Sequence, residues 1–365
     1  MNAFLSFIVS FIPRAVVTSV PLLYGCSGEI LTEKSGNLNL GIPGVMYVGA
    51  ISGVIGSFFY ESKFGAEGMN AFLAIMIPLC CSLLGSLAMG IIYCFLTVTL
   101  RANQNVTGLA MTTFGVGIGN FFGGSLIKLS GLDIPSIALS ETSKYFSASP
   151  ADVLMKWMDL LEIKLIGKFF AASPTDNWVT ALFAFLGNIC EIFLSYGFLC
   201  YFAFAITIVL GIFIMKTRTG LHLRAVGESP ATADAAGINV GRYKYLSTCV
   251  GCMIAGLGGL YYVMDYASGV WSNDAFGDRG WLAIALVIFC IWRPNLGILA
   301  SLLFGGLYII YLYIPVGIDH MEFRELYKMI PFVITLVVLV ITSMKNKREN
   351  QPPESLGLSY FREER

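Results

Sequence analysis

Charge is scarce in this chain. Charged residues make up 13% of it, where a soluble domain carries about a quarter. Hydrophobic residues make up 56%, and the mean hydropathy is +0.74. A water-soluble fold is excluded, and a polytopic membrane protein is implied. Basic and acidic residues balance at 23 each, so no net charge draws the chain to nucleic acid. Histidine occurs 2 times, as His222 and His320, and neither has metal-ligand spacing with another His or Cys. The phosphate loop G-x-x-x-x-G-K-S/T is missing, which excludes ATP binding of that kind. No nucleophile–base arrangement can be assembled, so neither catalysis nor a cofactor is expected. The 9 cysteines do not read as a disulfide framework. Most of them (Cys80, Cys81, Cys94, Cys200, Cys249, Cys252, Cys290) lie in apolar runs and behave as small hydrophobes. The first residues are apolar but lack a basic leader and a small-residue cleavage site, so no signal peptide is expected.

Long apolar runs take the place of these features. A bilayer core needs about 20 apolar residues per helix. Runs of suitable length are 4–31, 40–60, 71–100, 106–128, 191–215, 244–266, 295–316 and 327–344, with a shorter one at 279–292. The fold class is therefore an all-α polytopic membrane protein of about eight to ten transmembrane helices, broken or re-entrant helices among them. The count depends on whether Pro13 splits the first run and whether 279–292 crosses. Basic residues favour the cytoplasmic side. Lys345, Lys347 and Arg348 place the C-terminus inside, as do Lys216, Arg218, Arg224, Arg242 and Lys244 for the long loop between two runs. Arg101 and Arg293 place two turns on the same side, and counting back puts the N-terminus outside. Residues 129–190 then form an extracytoplasmic insert. Within it, 152–170 is amphipathic and reads as a helix in the outer interface or a platform for an external partner. Small residues four apart (Gly49/Gly53, Gly115/Gly119/Gly123, Ala255/Gly259) mark close helix packing.

The long loop contains a short helix in outline. Ser229 suits an N-cap, Pro230 the first helical position and Gly237 the left-handed residue past the end. A helix over 230–236 would be roughly 10 Å long and would need a surface to lie on. Polar residues also gather beside two spans. The first group is Asn37, Asn39 and Gly41; the second is Asn103, Gln104, Asn105 and Thr107. In the run 106–128, Thr113 and Asn120 lie on one helix face beside Phe114 and Phe121. That stripe reads as a path for a molecule offering hydroxyls and a flat ring, or as an Asn that bonds a neighbouring helix. Asp265 and Glu191 read as interfacial acids.

The stretch Arg224, Ala225, Val226, Gly227, Glu228, Ser229, Pro230, followed by Ala235, Ala236, Gly237, Ile238, Asn239 and Val240, resembles the coupling loop of permease subunits in bacterial ATP-binding-cassette (ABC) importers. The segment SGNLNLGIPG at 35–44 resembles a segment of the nucleoside branch, with Pro43 where that branch has Glu. RANQNVTG at 101–108 resembles another, with Gln104 where the branch has Glu. Further similarity covers 276–305 and 327–340. The neutral amides suit a neutral substrate. The resemblance implies a permease domain over 1–345, with a cytoplasmic coupling loop at 216–243 and a cytoplasmic tail at 346–365. It implies a multi-pass protein of the bacterial cytoplasmic (inner) membrane. Expected partners are ABC ATPase subunits, a second permease chain (a heterodimer rather than a homodimer), an extracytoplasmic substrate-binding protein or lipoprotein, and the lipid bilayer. ATP hydrolysis would fall to the separate ATPase subunit. The expected ATPase-coupling residues are Arg224, Gly227, Glu228, Ser229, Pro230, Ala235, Ala236 and Gly237. The expected substrate pathway comprises Asn37, Asn39, Gly41, Asn103, Gln104, Asn105, Thr107, Thr113 and Asn120. Nucleosides are the expected substrate. The alternatives are a simple sugar or riboflavin, and, from another class, a stand-alone channel or secondary transporter. Few intramembrane acids disfavour ion coupling, and the polar segment 35–41 weakens a purely structural scaffold.

Overall fold

A computed structural model describes residues 3–65, 68–130, 136–150, 193–310, 313, 329–345 and 351–361. The amphipathic segment 152–170, Glu191 and most of the insert lie outside the described residues. The described fold is helical apart from one two-stranded ribbon. Helix α1 spans Ala3–Glu33 and runs through Pro13 and Pro21 as one helix, so Pro13 does not divide it. Helices α2 (Ile42–Phe64), α3 (Ala71–Cys94) and α4 (Gln104–Ser130) follow, with a π-helical turn at Phe95–Thr99. Strand β1 (Ser136–Ala138) and helix α5 (Ser140–Ser147) open the insert. Then come α6 (Phe198–Lys216), α7 (Arg218–Glu228), α8 (Pro230–Ala235) and α9 (Val240–Tyr261) with a π-helical extension Tyr262–Tyr266. Strand β2 (Val270–Ser272), α10 (Arg279–Phe289), α11 (Pro294–Ile309) and α12 (Ile330–Lys345) complete the described elements.

Among the described residues, 5 helices are long and apolar enough to cross a membrane: Ser10–Glu33, Ile42–Phe64, Ala71–Thr99, Phe198–Lys216 and Val240–Tyr266. Helix α4 has the length, at 27 residues, but glycines and polar residues dilute its apolar character. The short seventh run is a helix of only 11 residues, roughly half a bilayer core. It starts deep in the bundle, where a side chain on Gly280 would strike the Pro43 ring and Cα. The irregular segment before it packs higher, with Phe276 against Tyr47 and Trp271 against Gly119 and Gly123. This run thus returns partly as helix and partly as irregular backbone. Such backbone is tolerated at membrane depth only where protein covers it, and Trp271 and Phe276 are fully covered.

Helix α1 is the hub, packed by α6, α9, α10 and α11. On the other side of α9, helix α2 lies between α3 and α4. Glycines set the closest approaches. A Cβ on Gly28 would strike the Gly251 carbonyl, and one on Gly115 would strike the backbone of Gly44. Helix association inside a bilayer rests on this kind of backbone contact, since lipid tails are as apolar as the side chains. At the end bearing α5, β1 pairs antiparallel with β2, Ile137 opposite Trp271. The opposite end gathers Lys34, Arg101, Lys216, Arg224, Lys244 and Arg293 and is called the basic end below.

Candidate functional site

At the basic end the chain between α1 and α2 does not leave the bundle. It folds back along the last turns of α1. The backbone N–H of Asn39 donates to the Glu29 carboxylate at 2.9 Å, and a Cβ on Gly25 would meet Ile42 and Met46. Helix α2 therefore begins inside the bundle, roughly two turns deep. Irregular backbone thus runs inside the bundle over 34–41. Every polar group that it carries needs a partner there, because water cannot supply one. Asn37, Asn39 and Ser35 are fully buried. Asn37 Nδ2 donates to Thr248 Oγ1 at 3.0 Å, and Asn39 Nδ2 to Cys252 Sγ at 3.6 Å. Asn39 Oδ1 accepts from the N–H of Gly41 at 2.9 Å. Leu38 N–H donates to Gln104 Oε1 at 2.7 Å, the Leu38 carbonyl accepts from the Tyr93 hydroxyl, and Thr112 Oγ1 donates to the Leu40 carbonyl at 2.8 Å. One turn from Glu29, the Glu33 carboxylate accepts from the indole N–H of Trp292. The 34–41 loop is a polar knot tied to α1, α3, α4 and α9.

Asn37, Asn39, Gly41 and Gln104 thus come together in the knot. Thr107 is also buried, one turn further along α4. The other expected pathway residues lie elsewhere on α4. Asn103 caps the helix, its Oδ1 accepting from the N–H groups of Asn105 at 3.0 Å and Val106 at 3.2 Å. Asn105 and Thr113 are exposed, and Thr113 Oγ1 turns back to the Leu109 carbonyl at 3.2 Å. Asn120 Nδ2 donates to Asp274 Oδ1 at 3.1 Å. Around these lie Val106, Leu109, Phe114 and Phe121, all exposed. This face of α4 is uncovered by the described chain and mixes hydroxyl, amide and two aromatic rings.

The long loop carries the expected short helix. Ser229 Oγ accepts from Thr232 N–H at 3.4 Å, Pro230 opens α8, and Gly237 takes φ +82° past its end. Asn239 caps α9, its Oδ1 accepting from Arg242 N–H at 2.9 Å. Only Ala233 of α8 is buried, in a small cluster with Val226 and Val240. Glu228, Ala231, Thr232, Ala235, Ala236 and Gly237 present an open outer face. Gly227 faces inward, and a Cβ there would strike the Lys34 carbonyl. Arg224 Nε is buried without a hydrogen-bond partner. Burial lowers the pKa of Lys34 beside it, with Glu228 opposing and Arg224 adding to the shift.

A family model described as "Branched-chain amino acid transport system / permease component" matches residues 11–339. The chain belongs to this permease family. Its relatives include a nucleoside ABC transporter permease protein of Lactococcus lactis, 29% identical over 90% of this chain and 91% of the relative. A guanosine ABC transporter permease protein of Bacillus subtilis is 26% identical over 97% of both chains. A putative glucose ABC transporter permease protein of Haloferax volcanii is 28% identical over 82% of this chain and 76% of the relative. No solved structure matches the chain. Like these relatives this permease is a multi-pass membrane protein, and the resemblance to the nucleoside and sugar branch read from the sequence is borne out.

Sequence reasoning missed the pair Glu29 and Glu33 and the Trp292 that bonds Glu33. The signal was two acids four residues apart in an apolar run, which a bilayer tolerates only when they are buried in protein and partnered. Asp265, read as interfacial, lies at the far end against Gly197 and the Phe146 carbonyl, and its Oδ2 is buried.

Proposed function

We propose that this permease forms half of the translocation pathway of an ABC importer for nucleosides. The observation that carries the reading is the capped helix α8, with its outer face open and its inner face seated on Val226 and Val240. A six-residue helix cannot persist alone, and one held with an open face is suited to a cleft in another protein. In this reading a pair of ATPase subunits receives α8. A second, non-identical permease chain faces the exposed side of α4 across the pathway, and an extracytoplasmic binding protein delivers substrate. Expected contacts with the ATPase are Glu228, Ser229, Pro230, Ala235, Ala236 and Gly237, while Gly227 and the buried Arg224 Nε stand behind them. The basic end, tail included, faces the cytoplasm.

The mechanism is alternating access. ATP binding closes the ATPases, α8 moves with them, and the helices tied to the 34–41 knot rock. A partner can drive such a change only by contacting the two states differently, and α8 is where those contacts are made. Substrate passes along α4. Asn105, Thr113 and Asn120 offer hydrogen bonds to ribose hydroxyls and base edges. Phe114 and Phe121 offer flat apolar surface to the base, where stacking contributes about 1–3 kcal/mol. The α4 residues of this face are neutral, and the one carboxylate beside them, Asp274, is bonded to Asn120; such a face fits an uncharged substrate. Nucleosides are named as the substrate class of the Lactococcus relative and guanosine of the Bacillus one. The Haloferax name favours a sugar as the second reading.

Uptake of labelled adenosine or uridine into vesicles holding the assembled transporter, with and without ATP on the ATPase side, tests this. ATP-dependent uptake competed by other nucleosides and not by glucose or ribose is expected. Uptake indifferent to ATP would overturn the importer reading, and competition by glucose alone would move the substrate to sugars.

A further inference from the structure

The tail beyond α12 lies across the basic end and binds several of its parts. Ser355 N–H donates to the Gly227 carbonyl at 3.0 Å, and its hydroxyl donates to the same oxygen at 2.5 Å. Gly357 N–H donates to the Gly36 carbonyl at 3.3 Å. The Leu358 carbonyl accepts from Gln104 Nε2 at 3.4 Å and from Lys244 Nζ at 3.5 Å. Ser359 Oγ donates to the Arg101 carbonyl at 3.3 Å, and the Arg101 guanidinium sits 4.6 Å from the centre of the Phe361 ring. The Tyr360 hydroxyl donates to Asp234 Oδ2 on α8 at 2.8 Å, and its ring covers the Val226, Ala233 and Val240 cluster.

One short segment thus holds α8 by Tyr360, the end of α7 by Ser355, the 34–41 loop by Gly36, and the start of α4 by Gln104 and Arg101. Helix α8 buries one side chain of its own, so its inner face depends on what is laid against it. Without the strap a push on α8 would be absorbed in the turns around it. With the strap, α8 and the polar knot share partners and move together.

We propose that residues 355–360 are a positioning strap that carries displacement of α8 to the 34–41 loop and α4, with Tyr360 as its grip on α8. The proposal rests on the reading above, that α8 seats in an ATPase. Coupling between separated sites needs an element that both of them bias, and this segment touches both.

The test measures ATP hydrolysis and labelled adenosine uptake together, in vesicles holding the full transporter, normalised to the amount of assembled complex. Tyr360→Phe keeps the ring and removes one charge-assisted hydrogen bond. It is expected to lower adenosine moved per ATP by about tenfold or more, the size of one such bond, with hydrolysis and complex amount unchanged. Asp234→Ala should lower it at least as far, and adding Tyr360→Phe to Asp234→Ala should lower it no further, because the shared contact is already gone. Asp234→Asn keeps an acceptor and should stay near the unmodified ratio. An unchanged ratio in both Tyr360→Phe and Asp234→Ala would overturn the strap. So would uptake and hydrolysis falling in step, which marks a merely structural role. Failure of ATP-driven uptake in the unmodified transporter would instead overturn the permease reading beneath it.

Discussion

The carboxamides on either side of α4 are treated in opposite ways. Asn37, Asn39 and Gln104 are buried and bonded to Thr248, Cys252 and the Leu38 N–H respectively. Asn105, on the same helix as Gln104, is exposed, and Asn120 is half-exposed beside Asp274. The first set holds a stretch of broken backbone inside the bundle; the second lies on an uncovered face with Phe114 and Phe121. A polar side chain in a membrane chain therefore has two uses, and residue type does not separate them. What separates them is whether the hydrogen-bonding capacity is consumed within the chain. The knot spends it on α9 side chains and on its own backbone, whereas on the α4 face Asn105 stays exposed.

Glycine substitutions break this comparison hardest. Gly44→Leu on the knot side would drive a side chain into the Met111 carbonyl and the backbone of Thr112. Overpacking of that kind costs about 3 kcal/mol or more, and thermal unfolding in detergent should show a large loss of folded protein. Gly117→Leu on the open face meets nothing within 4 Å. It should change stability by no more than about 0.5 kcal/mol, while uptake falls as the path narrows. Equal destabilisation by the two would erase the distinction between the sides.

A subtler break lies at Glu29. Glu29→Ala strips the acceptor from the buried Asn39 N–H and should cost about 1–3 kcal/mol, read in the same unfolding measurement. Glu29→Gln keeps an acceptor of similar shape and should recover most of that loss. Equal losses in the two variants would mean that the hydrogen bond at 2.9 Å does not hold the loop.

The open face gives the smaller effects, and they belong to transport. Phe121→Ala should leave the unfolding temperature unchanged and raise the KM for adenosine by about fivefold to tenfold, the value of a partial stacking contact. Asn120→Ala removes one exposed hydrogen bond and should raise KM about twofold to threefold. A drop in stability without a change in KM would return both residues to the scaffold.

The legible parts of the site were the local ones. Ser229, Pro230 and Gly237 each act within a few residues, so their order along the chain carries the start and stop of α8. Asn103, expected in the substrate pathway, instead caps α4, a local role that its place just before the helix could have signalled. The glycine spacings marked helix faces that do meet, with Gly115 against Gly44 and Gly119 against Tyr47. The depth of the 34–41 loop was legible only in part. Its Asn and Gly content signalled broken backbone, but the anchors Glu29, Tyr93 and Thr248 stand on three other helices. Trp292, which satisfies Glu33, is 259 residues away from it. The tail was least legible of all: Ser355 and Tyr360 look like ordinary polar residues past the last helix, and their roles arise from partners more than a hundred positions upstream. The half-length of α10 was visible as a short apolar run, whereas its entry through the irregular backbone around Trp271 and Phe276 was not.

In the proposed pathway substrate moves along the face of α4 that carries Thr113 and Asn120. Thiol labelling of a Thr113→Cys chain in the assembled transporter tests it most directly, read as reactivity above that of the unmodified chain. The account predicts labelling by a membrane-impermeant reagent that saturating adenosine slows and glucose does not. Labelling absent, or indifferent to adenosine, would contradict it.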